Sequence, residues 1–302
     1  MNIQFMKEGH ESSTAAYMAL FRAVESARPE EGRLFTDPLA SSFLPTSLRF
    51  VADVAKRPVI GRAVPAILDL GWPRTRSSGV VRTRLIDTMV QEALDDGTSQ
   101  LILLGAGYDS RAYRLPLAIG VTVFEVDHPS TQRVKRARLS ASGTSVDHVR
   151  FVGVDFELDN IADRLAEAGF DEGARSIVAW EGVISYLSES AVDDNFELLS
   201  RISSPGSRLI FTYVDGRALD GSIDFEEARR WKGWVRLNGE PFVFGFHPDR
   251  LESYLAGYGF HLDSDHSTAE VARGYRSELG RAEKGSDLYR VTRATRTDRC
   301  PG

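Results

Sequence analysis

Two glycines and three carboxylates are the residues whose types and spacing best suit joint chemistry. Gly105-Ala106-Gly107 follows the apolar run Gln100-Leu-Ile-Leu-Leu104. Glycines at a strand end let the backbone turn sharply and approach a ligand closely. Ser110 stands where a dinucleotide fingerprint has its third glycine, which counts against a nicotinamide dinucleotide and so against an oxidoreductase. Asp127 ends the next apolar run, Val121-Thr-Val-Phe-Glu-Val126, about twenty residues beyond the loop, the separation at which an acid reaches a ribose diol. Asp155 follows Val149–Val154; an acid there can reach an adenine amino group, with the amide of Phe156 at a ring nitrogen. Glu181 follows Ser176–Trp180. Open α/β sheets bind ligands at the carboxyl ends of their strands, so this constellation points to an adenosine. No basic clamp follows the glycines, so a phosphate is not supported.

Positioning these residues needs a parallel sheet. Apolar runs at 100–105, 121–126, 149–154, 176–180 and 207–214 alternate with helical patterns at 80–94, 131–142, 160–168 and 191–202. Strands alternating with helices imply an α/β, Rossmann-like domain with right-handed crossovers. A helix at 249–258, a short strand at 260–263 and a final strand at 286–293 should complete it. Residues 1–79 read differently. A helix is expected over Ser12–Ser26, and Pro29, Pro38, Pro45, Pro58, Pro65 and Pro73 then break the chain into short pieces. The expected organisation is a helical N-terminal cap, 1–79, and a Rossmann-like domain, 80–302. An aromatic insertion at about 215–248, with Trp231, Trp234, Phe242, Phe244 and Phe246, is long enough to act as a lid.

Composition bounds the class. Hydrophobic residues are 42% and charged residues 26%, enough for a sizeable core and against global disorder. The net charge of -6 offers no argument for nucleic acid. The single cysteine, Cys300, fits a reducing compartment and excludes a cysteine-based metal cluster; the histidines show no ligand spacing, so no metal is expected. No secretory opening and no run of about 20 apolar residues is present, so the expectation is a cytoplasmic protein with no membrane partner.

Several words of the sequence resemble the leucine carboxyl methyltransferase family, more closely its bacterial branch linked to polyketide and other secondary metabolism. They are Ser13-Thr-Ala, Arg22-Ala, Glu25-Ser, Phe35-Thr-Asp-Pro-Leu-Ala40, Val81-Arg-Thr-Arg-Leu-Ile-Asp87, Leu104-Gly-Ala-Gly-Tyr-Asp-Ser-Arg111, Phe124-Glu-Val-Asp-His-Pro129, Val154-Asp-Phe156 and Trp180-Glu-Gly-Val-Ile-Ser-Tyr-Leu187. They cover residues from about 12 to 215 in the family's order. The resemblance implies a class I methyltransferase with a seven-stranded, mostly parallel sheet whose last strand is antiparallel. It implies S-adenosyl-L-methionine as cofactor, leaving S-adenosyl-L-homocysteine. Arg82 resembles the arginine that holds the methionine carboxylate, and Gly105 the glycine at the methionine moiety. Asp127 would take the ribose hydroxyls, Asp155 and Phe156 the adenine, and Glu181 the methionine amino group. Arg22 is the nearest counterpart of the family's N-terminal basic contact. Asp109 and Arg111 would fix the loop.

The expected partner is a small-molecule acceptor. A carboxylate is ionised at pH 7 and needs no base, whereas an alcohol needs one and a phenol benefits from one. His247, in the lid, and Tyr213, just past a strand end, are the candidate catalytic groups; His10 and His128 are weaker, His128 having a turn role before Pro129. Tyr186, Trp231 and Trp234 suit the wall of an aromatic acceptor site, and equally suit packing. Transfer to a carboxylate of an aromatic or polyketide-like molecule is the leading expectation. Transfer to a hydroxyl is the runner-up, and a non-catalytic cofactor-binding scaffold the rival from another class.

Overall fold

The computed structural model describes residues 13–155, 159–225, 228–229, 242–276, 280–281 and 283–298. Seven strands form one sheet in the order β3-β2-β1-β4-β5-β7-β6. They are β1 (Gln100–Leu104), β2 (Thr122–Asp127), β3 (Val149–Gly153), β4 (Ser176–Trp180), β5 (Arg208–Val214), β6 (Phe260–Ser267) and β7 (Tyr289–Arg296). β1 to β5 run parallel, and β7 is antiparallel to both β5 and β6, as the resemblance implied. This is the class I methyltransferase arrangement. β6 is longer than the four residues expected, because it pairs with β7 through Ser267 across an irregularity at 262/264. β7 lies three residues further along than the sequence pattern placed it.

The central strands β1 and β4 are buried at every position, and mostly apolar, because helices cover both faces. Successive side chains of β1 alternate. Ile102 and Leu104 join Phe124, Trp180, Phe196 and Phe211 on one side. Leu101 and Leu103 join Ile86, Met89, Val90 and Ile210 on the other. The first side is covered by α7 (Ile161–Glu167), α8 (Glu189–Ile202) and α9 (Pro248–Gly257), which supply Leu165, Phe196 and Leu251. The second packs against α4 (Thr75–Asp95), which starts five residues before the helical pattern does. Two shorter helices are α5 (Arg111–Arg114) after the glycine loop and α10 (Thr268–Gly274) between β6 and β7. Ser267 closes a capping box on the latter, a start signal that was present in the sequence as Ser-x-x-Glu.

Among the described residues three α-helices precede α4: α1 (Ser13–Ser26), α2 (Thr46–Ala55) and α3 (Val64–Gly71). Their apolar sides, with Leu20, Phe21, Phe43, Ala52 and Leu68, share one cluster with Val80 and Val81 of α4. Gly79 permits the close crossing of α1 over α4. A Cβ there would lie 3.3 Å from the sulfur of Met18 and 3.4 Å from the ring of Phe21. Phe246, in the described part of the insertion, is buried against Phe196, Phe211 and Tyr213.

Candidate cofactor and acceptor site

The sheet order reverses between β1 and β4, and a crevice opens outside the carboxyl ends of those two strands. The glycine loop leaves β1 into it and Glu181 leaves β4 into it. Gly105 has φ +69°, and a Cβ there would sit 2.5 Å from Val183 Cγ2, so only glycine fits. Gly107, at φ +40°, donates its N–H to Asp127 Oδ2, and the His128 N–H donates to Oδ1 at 2.6 Å. Both oxygens of Asp127 are thereby aimed by backbone, with lone pairs left for further donors. Burial pushes the Asp127 pKa up, and the two amide bonds oppose that shift. His128 is the N-cap of α6 (Pro129–Ala141), its Nδ1 accepting from the Ser130 N–H, so its role is in the turn. Asp155 stands half-buried at the end of β3, its N–H donating to Asp159 Oδ2 at 2.8 Å. Phe156 lies outside the described residues.

At the other end of the loop, arginines and acids from the cap, α4, the segment after β1 and the end of β4 form one network. Glu181 Oε1 accepts from Arg82 Nε at 2.7 Å and Oε2 from Arg111 Nη1 at 2.6 Å. Arg111 is 2% exposed and also donates to Asp87 at 2.8 Å and Asp109 at 2.6 Å. Burial alone would raise the Glu181 pKa, but Arg111 and Arg82 outweigh it and hold the carboxyl down at about 2. Burial would likewise discharge Arg111, yet Asp109, Glu181 and Asp87 keep it firmly charged. Arg114 grips Asp87 through two nitrogens, at 2.6 and 2.7 Å. Arg22 of α1 donates to Asp37 Oδ2 at 2.8 Å and to the Tyr108 carbonyl at 2.6 Å. Ser110, in place of the third fingerprint glycine, donates to the same Asp37 oxygen at 2.6 Å. The cap therefore clamps the loop through Arg22, Asp37 and Ser110.

Beside this network lies a cavity. Arg82, Gly105, Ala106, Glu181, Arg22, Tyr186 and Tyr213 line it, so seven of the residues singled out from sequence meet around one space. Gly107, Asp127 and Asp155 flank the loop outside its lining, and His247 is also outside it. His247 begins α9 and its Nε2 lies 3.1 Å from Asp220. Trp231 and Trp234 fall outside the described residues. Tyr213 faces the cavity, yet its hydroxyl donates to Asp265 at 2.9 Å; burial and that acid push its pKa far up, which unfits it as a base. The sequence pattern did not single out Met18, Phe21, Trp72, Tyr289 or Arg290 for the wall. Arg290, at the start of β7, is held by Asp265 at 2.7 Å. Its neighbour Tyr289 and the alternation along β7 were the available signal, but an arginine in an edge-like strand reads first as a solvated position.

The fold and the site together define a methyltransferase of the class that works with S-adenosylmethionine. The family model for leucine carboxyl methyltransferase matches residues 15–200. The chain belongs to the leucine carboxyl methyltransferase family. It is 34% identical over 255 residues to an inferred S-adenosyl-L-methionine-dependent methyltransferase of Mycobacterium avium (strain 104), covering 83% of each chain. A protein described in the same words from Parafrankia sp. (strain EAN1pec) is 31% identical over 289 residues, covering 90% of this chain and 87% of that one. The fold is shared with the crystal structure of an inferred methyltransferase from Thermobifida fusca YX, at TM-score 0.58 and 17% identity, over 94% of this chain and 98% of the other.

Proposed function

We propose that the chain transfers the methyl group of S-adenosylmethionine to a carboxylate of a small aromatic or polyketide-like acid, in the cytoplasm. The residues fit this cofactor. An ionised acid, Glu181, suits its ammonium, and Arg82, whose Nη1 has no protein partner among the described residues, suits its carboxylate. Asp127, aimed by two amides, suits the ribose diol, and Gly105 to Gly107 let the backbone come close. Asp155 and Phe156 remain the assignment for adenine. When bound, the cofactor supplies a methyl already made electrophilic by its sulfonium.

The protein's part is then alignment and exclusion of water, worth about 7–11 kcal/mol of barrier when reacting atoms are well oriented. Tyr17, Met18, Phe21, Trp72, Tyr186 and Phe242 wall the acceptor space, with Tyr17 and Trp72 5.0 Å apart and Tyr186 and Phe242 5.4 Å apart between ring centres. Such a wall suits a flat apolar body. Arg22, Arg82 and Arg290 lie in the same lining and suit a negative end.

One observation carries the choice of acceptor: the described lining offers no histidine and no carboxylate free of an arginine. It contains no histidine, its acids Asp109 and Glu181 are both engaged by Arg111, and the Tyr213 hydroxyl is spent on Asp265. A carboxylate acceptor needs no base. The test is transfer of labelled methyl from the cofactor to paired acids and phenols of one skeleton. Preference for the acids, with a rate flat between neutral and mildly alkaline pH, is expected. Preference for phenols, with a rate rising with pH, would replace this reading by hydroxyl methylation.

A further inference from the structure

The face of the cap formed by α2, the turn after it and α3 is both apolar and basic. Eight large hydrophobic side chains are exposed among the described residues, and five of them lie here: Phe50, Val59, Ile60, Ile67 and Leu70. Val59 is 82% exposed and Leu70 79%. The turn that carries Val59 and Ile60 is built, not frayed. Arg57 N–H donates to the Val54 carbonyl at 3.0 Å, and Gly61 N–H to the Arg57 carbonyl at 2.9 Å. Gly61 packs so closely on the end of α2 that a Cβ would overlap the Ala55 carbonyl. Two aliphatic side chains are thus presented outward on a compact protrusion.

Around them stand exposed Arg49, Lys56, Arg57, Arg62 and Arg74. The acids of the same stretch are few and engaged: Asp53 pairs with Lys56 at 3.0 Å, and Asp69 with the buried Arg76 at 2.8 Å. The face is therefore positive on a chain whose net charge is -6. A second copy is a poor occupant, because a two-fold interface sets the same residues of both copies against each other and brings like charges together. An anionic bilayer answers both features, taking aliphatic side chains at the boundary of headgroups and acyl chains and cations at its surface. No helix among the described residues is long and apolar enough to cross a membrane, so the contact would be peripheral.

We propose that this face seats the protein on an anionic lipid surface, with Val59, Ile60, Ile67 and Leu70 in the interface and Lys56, Arg57 and Arg62 against the headgroups. This amends the sequence-based expectation of no membrane partner, which rested on the absence of a spanning run. α3 leads directly into Trp72 of the cavity wall, so, on the proposed reading of the acceptor, the membrane-facing helix adjoins the acceptor space.

The test is co-sedimentation of the full chain with phosphatidylcholine vesicles, with and without phosphatidylserine, at low and high salt. Binding is expected only with phosphatidylserine and is expected to fall with salt. Removing cations costs about fivefold in affinity each, so Lys56→Ala with Arg57→Ala should weaken binding about thirtyfold. Val59→Asp with Ile60→Asp should abolish it. Both double variants should keep their affinity for S-adenosylhomocysteine by calorimetry, which also separates this proposal from the functional one. Equal sedimentation with and without phosphatidylserine overturns it, and so does native-like vesicle binding by either variant. A dimer in sedimentation velocity that Val59→Asp with Ile60→Asp dissociates would assign the face to self-association instead.

Discussion

Glu181 is the residue whose neutralisation reports most directly on the site. It takes charged hydrogen bonds from Arg82 at 2.7 Å and Arg111 at 2.6 Å, and its side chain is 19% exposed. Glu181→Gln keeps the shape and one acceptor oxygen but removes the charge and turns an amide N–H₂ toward a guanidinium. Breaking a buried ion pair from one side costs about 3–5 kcal/mol. The low end applies, because Arg111 keeps Asp87 and Asp109. Linkage points the same way, because Arg111 and Arg82 hold the Glu181 pKa at about 2, below its ordinary 4.5. The sign follows from the depression: the stabilisation is complete above the ordinary value and is lost as pH falls toward 2. Urea unfolding should therefore show the variant about 3 kcal/mol less stable at pH 7, with the gap closing on acidification below pH 4.5. Calorimetry should show S-adenosylhomocysteine bound at least tenfold more weakly, from a lost charged contact to the ammonium of about 1.5–3 kcal/mol. A loss under about 1 kcal/mol at pH 7, or a gap that stays constant on acidification, would refute the account of the network.

Other perturbations test other parts of the site. Asp127→Ala should weaken cofactor binding at least tenfold by calorimetry while the chain stays folded, from charged hydrogen bonds of about 1.5–3 kcal/mol; unchanged affinity would remove the ribose assignment. Gly105→Ala forces a Cβ onto Val183 at positive φ and should lower the melting temperature and abolish measurable binding. Adding Val183→Ala should restore only part of this, since the backbone strain remains. Tyr213→Phe and His247→Asn should each retain methyl transfer within a few fold in kcat, whereas loss of a true general base costs about 10²–10⁴-fold.

The sequence by itself determined the sheet and the stations around it. The apolar runs at 100–105, 121–126, 149–154, 176–180 and 207–214 became β1 to β5, because strands covered on both faces are predominantly apolar. Glycines and acids at the ends of such runs are legible because strand ends of a parallel sheet share one edge, so order along the chain becomes adjacency in space. The ends of elements were less legible. α4 begins at Thr75, ahead of the apolar pattern, because its first turns carry Arg76, Ser77 and Ser78, which only the packing of α3, α10 and the segment before β7 buries. The distant partners of each arginine were not legible. Arg82 reads as a methionine-carboxylate ligand, yet it also holds Glu181, and Arg111 joins Asp87, Asp109 and Glu181 across separations of 24, 2 and 70 residues. Only the Asp109 contact is local; the other two exist only once α4 lies along the sheet. The same holds for the exposed basic, apolar face of the cap, since apolar residues of short helices read as core until the fold leaves some of them without a neighbour.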